Sequence, residues 1–116
     1  MAIRVTPPQD LIVVAESSAG FYPGRFSEYT SIRGARITNG HLAAVEQDGN
    51  LALMFATREE GPLFAIANED LRRADKVKSG LNTVVEVVAK DGETVCFVGP
   101  RGRMRKIFAG VGHPLM

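Results

Sequence analysis

Short apolar segments alternate along the chain with reversals that contain glycine. Asn39-Gly40, Asp48-Gly49 and Asp91-Gly92 are dipeptides typical of two-residue hairpin turns, in which both central residues take a positive φ. The stretch 99–102, Gly-Pro-Arg-Gly, fits a fourth reversal, with proline and glycine at the positions that such a turn prefers. The four signals form two pairs, and the members of each pair lie nine positions apart. This spacing predicts successive antiparallel hairpins.

The segments between these reversals have the composition of strands. The second half in particular is filled with β-branched and aromatic residues, which suit a half-buried pleated surface. We predict one meander over 33–38, 41–47 and 50–56, a second over 81–90, 93–98 and 103–110, and two short strands at 2–5 and 11–15.

One helix is predicted between the two meanders, near 68–79. Asn68 can cap it, two acidic residues follow in the first turn, cations occupy the later turns, and Gly80 can end it. The sequence therefore predicts an α+β fold that is predominantly antiparallel β. We expect a small barrel or two-layer sheet of about six to eight strands with this one short helix, in a single domain spanning 1–116.

Composition narrows the class of protein further. The chain has 116 residues, of which 45% are hydrophobic and 23% charged, which is ordinary for a globular domain. Cys96 is the only cysteine, so neither an intrachain disulfide nor a cysteine-rich zinc site can form. The longest aliphatic run, 11–15, is too short to span a membrane. We expect a cytoplasmic protein without a membrane partner.

The stretch 98–106, VGPRGRMRK, concentrates positive charge near the C-terminus. On the predicted hairpin its cations are typical of a solvated strand end or a protected sheet edge. They could also follow a phosphate backbone, which makes a nucleic-acid-binding small β-barrel with a basic hairpin at 99–106 the alternative function. The residues that would carry it are Arg101, Arg103, Arg105 and Lys106, helped by Arg72, Arg73 and Lys76 of the predicted helix.

The stretch 21–29, FYPGRFSEY, holds four of the eight aromatic residues of the chain. Aromatic residues and arginine dominate the energetics of protein–protein interfaces. The same aromatic side chains could instead fold inward as part of a small core. If the stretch is a partner-binding surface, we predict that the binding residues are Phe21, Tyr22, Arg25, Phe26 and Tyr29.

Catalytic chemistry finds little support in the sequence. His41 and His113 have no spacing that favours a metal site, and the glycines form no phosphate-binding loop. Ser17 and Ser18 lack the nucleophile elbow of hydrolases, and Cys96 alternates with apolar strand residues as a buried thiol would. We therefore predict no catalytic residues, no metal and no cofactor. A small-molecule enzyme with a pocket at the mouth of the barrel stays open as a third class.

These observations favour a non-enzymatic binding or assembly module. It would act through surface contacts with another protein or with its own sister subunit. Symmetric pairing of open sheet edges is one way in which a small β-rich chain covers them. Nucleic acid remains the alternative partner, recognised by the basic residues named above.

Overall fold

A computed structural model describes residues 11–27, 37–78 and 80–115 of the chain. Within these ranges, seven antiparallel strands form one sheet, and one short helix near the C-terminus packs against it. The predicted fold class is therefore confirmed. A 3-10 turn at Asn68–Asp70 separates β4 from β5. The strands are β1 (Ile12–Tyr22), β2 (Thr38–Gln47), β3 (Asn50–Thr57), β4 (Gly61–Ala67), β5 (Leu71–Lys78), β6 (Asn82–Ala89) and β7 (Thr94–Pro100), and the helix is α1 (Arg101–Gly110).

The order of strands across the sheet is β4-β3-β2-β1-β7-β6-β5. The two edge strands, β4 and β5, are nevertheless joined by only the three residues of the 3-10 turn. Three residues of extended chain span about 10 Å at most, so the sheet must curl until its two edges approach each other. The result is a strongly bent sheet with one inner and one outer face.

The sheet has two halves, one formed by β1 to β4 and the other by β5 to β7. Helix α1 lies where these halves separate. Strand β1 pairs with β7 only from Gly20 to Tyr22, and beyond Gly20 the two strands have no further pairs. On that side of β1, the Arg103 guanidinium donates a hydrogen bond to the Glu16 carbonyl at 3.5 Å. The helix thus covers part of the edge that β7 leaves open. Met104, Ile107 and Phe108 turn its apolar side into the core.

Four phenylalanine rings form the centre of the core. Phe97 of β7 is fully buried, and its ring centroid lies 5.4 Å from that of Phe21, 5.8 Å from Phe55 and 5.5 Å from Phe64. Phe21 stacks on Phe55 with 5.1 Å between their centroids. These contacts join strands from both halves of the bent sheet, so the cluster holds the curl closed.

Two of the four predicted reversals are confirmed. Asp48 and Gly49 have φ values of 52° and 80° and connect β2 to β3 as a tight hairpin. Asp91-Gly92 lies in the connection between β6 and β7, where Gly92 has a φ of 93°. The aspartyl-glycine signal therefore identified both turns correctly.

The predicted turn at Asn39-Gly40 is wrong, because both residues lie inside β2 and pair with Gly20 and Ala19 of β1. Gly40 serves a close approach instead of a turn. A Cβ atom there would clash with the Ala56 carbonyl oxygen and would come within 2.7 Å of the Phe55 ring. Glycine is required at this position by packing, which the local sequence does not reveal.

Replacing Gly40 by alanine is expected to lower the free energy of unfolding by about 1–3 kcal/mol, because the new methyl group clashes with the Ala56 carbonyl oxygen and overpacks the Phe55 ring. Urea unfolding followed by circular dichroism measures the change. Gly102→Ala is the matched control, since a Cβ at Gly102 meets nothing within 4 Å. In the control, α1 gains helix propensity and stability does not fall. Equal losses in both variants would contradict this account of Gly40.

The helix predicted near 68–79 is wrong. Only Asn68–Asp70 form a 3-10 turn, and the rest of the segment is strand β5, which pairs with β6. Leu71 and Ala74 pack against the core, while the charged side chains remain exposed. Charges on an edge strand prevent further strand addition, so their abundance reflects the edge position and not a helix surface.

The hairpin at 99–106 and the strand at 103–110 are also wrong, because α1 begins at Arg101. Pro100 precedes the helix with an extended backbone, as proline does where a helix starts. The buried side chains recur at the spacing of a helix, i, i+3, i+4 and i+7, at Met104, Ile107, Phe108 and Val111. This pattern was present in the sequence and outweighs the Gly-Pro turn signal.

Other predicted strands agree with the structure. The segments 41–47, 50–56, 81–90 and 93–98 correspond to β2, β3, β6 and β7, and 11–15 is the start of the longer β1. The segment 2–5 and most of 33–38 lie outside the described residues.

Candidate binding surface

The chain after β1 folds back over the outer face of β6 and β7. The Phe26 backbone N–H donates a hydrogen bond to the Glu86 carboxylate at 2.9 Å. The Cys96 thiol donates to the Gly24 carbonyl at 3.4 Å. Glu86 and Cys96 are paired across β6 and β7, so one cross-strand pair fixes residues 24–26 at two points.

The predicted partner-binding residues differ in how far the structure buries them. Phe21 turns inward and joins the aromatic core, so its ring is committed to packing. Tyr22 ends β1 and is half-buried, Phe26 is half-buried, and Arg25 is exposed. Tyr29 lies outside the described residues. Tyr22, Arg25 and Phe26 therefore remain at least partly accessible, and of these Arg25 and Phe26 line a groove.

A groove of about 550 Å³ lies beside these two residues, and we call it the arginine groove. It brings Arg25 and Phe26 together with Arg72 and Arg73 of β5, which the sequence had assigned to a separate helix. The lining residues are Arg25, Phe26, Ser27, Arg72, Arg73, Val77, Glu86, Val88, Gly92 and Thr94.

Positive charge dominates the arginine groove. Three arginines line it against one carboxylate, Glu86, which already accepts the hydrogen bond from the Phe26 backbone. Arg73 forms an exposed ion pair with Asp75, at 3.0 Å between Nε and Oδ2. Val77 and Val88 add apolar surface between the charges. Guanidinium groups bind carboxylates and phosphates in a bidentate geometry, so the groove suits an anionic partner that also carries apolar groups.

The cations of α1 form a separate surface. Arg101, Arg103, Arg105 and Lys106 are all exposed on the helix, and its first turn contains no acidic residue. Thr94, at the arginine groove, and Pro100, next to α1, are the two ends of β7, about 20 Å apart at the rise of a strand. The helix also packs on the inner face, whereas the groove is on the outer face. The predicted nucleic-acid-binding residues thus divide between two places.

A second, wider groove of about 840 Å³ includes Ser18 and His41, which are cross-strand partners in β1 and β2. The His41 Nε2 atom lies 3.4 Å from a Glu16 carboxylate oxygen. Serine, histidine and glutamate are the residue types of a hydrolytic triad. In the described part of the chain, however, no hydrogen bond joins the Ser18 hydroxyl to His41, and the His41 side chain is 57% exposed. An open pair of this kind lacks the buried, oriented base that activates a serine.

The remaining candidates for chemistry are dispersed. Cys96 is 2% exposed, as expected for a strand thiol, and Glu59 and Glu60 are exposed in the connection between β3 and β4. Among the described residues, no three histidine, cysteine or carboxylate side chains are close enough to hold a metal ion. In the same part of the chain, no helix has the length and apolar character needed to cross a membrane.

Comparison with known families and with curated proteins found no match for this chain. The contacts within the structure are therefore the basis for the functional proposal. The sequence analysis predicted Arg25 and Phe26 for one binding surface and Arg72 and Arg73 for another, whereas the structure brings all four to one groove. Their convergence depends on the pairing of β5 with β6, which no local pattern of residues indicates.

Proposed function

We propose that this chain is a non-enzymatic binding module, and that the arginine groove is the surface through which it docks on another protein. The observation that carries the proposal is the convergence of Arg25 and Phe26 with Arg72 and Arg73 around apolar Val77 and Val88. The partner would present an acidic segment with at least one large apolar side chain. A cytoplasmic location is part of the proposal, in keeping with Cys96 as a buried free thiol.

The residue types in the groove suit protein recognition. Arginine and aromatic residues are enriched among the side chains that contribute most to interface affinity. The hydrogen bonds from Phe26 to Glu86 and from Cys96 to Gly24 hold one wall of the groove in place before a partner binds. A wall that is already ordered loses little conformational entropy on binding, which favours affinity.

Nucleic-acid binding is the second candidate, and the exposed cations of α1 favour it. Four basic side chains on a ten-residue helix without an acid could contact several phosphates. A binding surface for single strands usually combines such cations with stacked aromatic rings. Phe26 is the aromatic residue that lines the arginine groove, and it lies on the other face of the sheet from α1.

The experiment uses fluorescence anisotropy with two labelled probes, an acidic peptide of alternating glutamate and phenylalanine and a twenty-residue oligothymidylate. We expect the peptide to bind, and the double variant Arg25→Glu/Arg72→Glu to weaken its affinity by at least about tenfold, since two charge-assisted contacts are lost. Arg105→Glu/Lys106→Glu is the matched control, because it reverses the same amount of exposed charge on α1.

Equal weakening by the two double variants would show that net charge alone attracts the peptide, and it would overturn the role of the groove. If the oligothymidylate binds more tightly than the peptide, and reversal on α1 abolishes that binding, the nucleic-acid alternative is correct. In that case the affinity must also fall steeply as salt rises, in proportion to the phosphates contacted.

A further inference from the structure

An extra residue in strand β5 gives the arginine groove one of its arginines. Leu71 pairs with Ala89 of β6 and Arg73 pairs with Val88, so two steps along β5 correspond to one step along β6. Arg72 is the additional residue, which makes this a β-bulge. In a regular strand, Arg72 and Arg73 would lie on opposite faces of the sheet. The bulge allows both side chains to lie on the same face.

Burial on the two sides of the bulge identifies that face. Leu71 and Ala74 both pack against the core although they are three positions apart, which a strand without a bulge would not allow. Between them, Arg72 and Arg73 are exposed, and both line the arginine groove. Two guanidinium groups from neighbouring residues therefore meet Arg25 at one outer surface.

Protection of the sheet edge explains this arrangement only in part. A bulge and charged side chains both discourage the addition of another strand, but lysine serves that purpose as well as arginine. Neighbouring like charges on one face also repel each other. Arg73 relieves part of this repulsion through its ion pair with Asp75, yet an exposed pair of this kind contributes little. A bound anion of higher charge would balance both arginines.

We propose that the anionic group bound by the arginine groove is a phosphorylated serine or threonine of the partner protein. This inference rests on the proposed docking function and specifies its ligand. A carboxylate has one charge and two oxygens, which a single bidentate arginine satisfies. A phosphate monoester has a charge of about −1.5 to −2 at neutral pH and three acceptor oxygens, so it can bind more than one guanidinium group. The three arginines that line the groove outnumber its one carboxylate by two, which matches a phosphate dianion.

The rest of the groove suits a phosphorylated protein segment better than free phosphate. Its volume of about 550 Å³ is larger than one phosphate group fills, and Phe26, Val77 and Val88 supply apolar surface beside the arginines. The hydrogen bond from the Phe26 backbone N–H holds the Glu86 carboxylate at one wall. A peptide can place its phosphate on the arginines and a neighbouring apolar side chain on the valines, whereas free phosphate would use only the charged part.

Fluorescence anisotropy with three labelled peptides tests the phosphate specificity. The peptides share a sequence of alternating glutamate and phenylalanine and differ only at the central residue, which is phosphoserine, glutamate or serine. We expect the phosphoserine peptide to bind at least about tenfold more tightly than the glutamate peptide, because the additional oxygen and charge add a charge-assisted hydrogen bond. The serine peptide should bind no more tightly than the glutamate peptide.

The double variant Arg72→Lys/Arg73→Lys separates a guanidinium clamp from general positive charge. It keeps the net charge, but the ammonium group of lysine cannot form the bidentate contact. The advantage of the phosphoserine peptide over the glutamate peptide should therefore fall below about threefold. Arg101→Lys/Arg105→Lys, at exposed positions of α1, is the matched control and should keep the full advantage.

Equal affinity for the phosphoserine and glutamate peptides would overturn the phosphate specificity and leave the docking function standing. Absence of binding for all three peptides would overturn both. An unchanged phosphoserine advantage in the Arg72→Lys/Arg73→Lys variant, or an equal loss in the control, would also exclude the clamp. The comparison of peptides uses the wild-type protein alone, so it decides the matter even if a variant folds poorly.

Discussion

Replacing Phe97 by alanine is expected to lower the free energy of unfolding by about 3–5 kcal/mol. The side chain is fully buried, and its ring contacts the rings of Phe21, Phe55 and Phe64. The loss combines the removed apolar contacts with the cavity that remains, because strands from both halves of the sheet cannot collapse fully into it. Urea unfolding followed by circular dichroism measures the change.

The control for Phe97 is Leu81→Ala. Leu81 is 96% exposed in the connection between β5 and β6, and truncating a surface side chain changes stability by about 0.5 kcal/mol or less. A domain of this size has about 5–15 kcal/mol of total stability, so Phe97→Ala should remove a large share of it. A loss below about 1 kcal/mol would mean that the four rings do not form the centre of the core.

The second large effect is expected for Phe108→Ala in α1. Phe108 is fully buried, as are Met104 and Ile107 beside it, and the three side chains attach the helix to the sheet. Truncation should cost about 3–5 kcal/mol and should loosen the helix before the sheet unfolds. Hydrogen exchange by mass spectrometry would then show faster exchange in 101–110 than in β2 and β3.

Arg105→Ala is the control on the same helix, because the Arg105 side chain is exposed. It should change the free energy of unfolding by no more than about 0.5 kcal/mol. The pattern of hydrogen exchange should stay the same. If Phe108→Ala accelerates exchange uniformly over the whole protein, the helix is no less stable than the sheet, and local loosening is excluded.

Sequence patterns gave reliable information where the local signal and the tertiary role agree. The Asp48-Gly49 hairpin needs a positive φ at both residues, and an Asp-Gly dipeptide is itself the sequence signal for such a turn. The apolar strands β3 and β6 were recognised for a similar reason, since β-branched and aromatic residues fill a buried pleated face. Gly40 is a counterexample, because glycine is needed there to leave room for the Phe55 ring on the neighbouring strand.

The charged segments were misassigned for a physical reason. Both 71–78 and 101–110 carry several cations, and charge alone does not distinguish an edge strand from an exposed helix. For α1, the helical spacing of the apolar residues Met104, Ile107 and Phe108 distinguishes a helix from a strand. For β5 the deciding factor is pairing with β6, which is a tertiary interaction that overrides helix propensity.

The candidate site was predictable only in part. Arg25 and Phe26 stand out in the sequence as interface residue types in a turn-rich stretch. Their position near Arg72 depends on the hydrogen bond that the Phe26 backbone N–H donates to the Glu86 carboxylate, sixty positions along the chain. No local pattern in a single sequence encodes such a distance.

The short pairing between β1 and β7 has a consequence for how the chain folds. Each half of the sheet can form early through neighbouring strands, because β1 to β4 and β5 to β7 are mostly joined by short connections. Gly20 can pair with Val98 only after residues far apart in the sequence have come together. Closing a loop of this length makes such pairing slow. The seam between the halves, sealed by α1, is therefore where we place the late, rate-limiting event of folding.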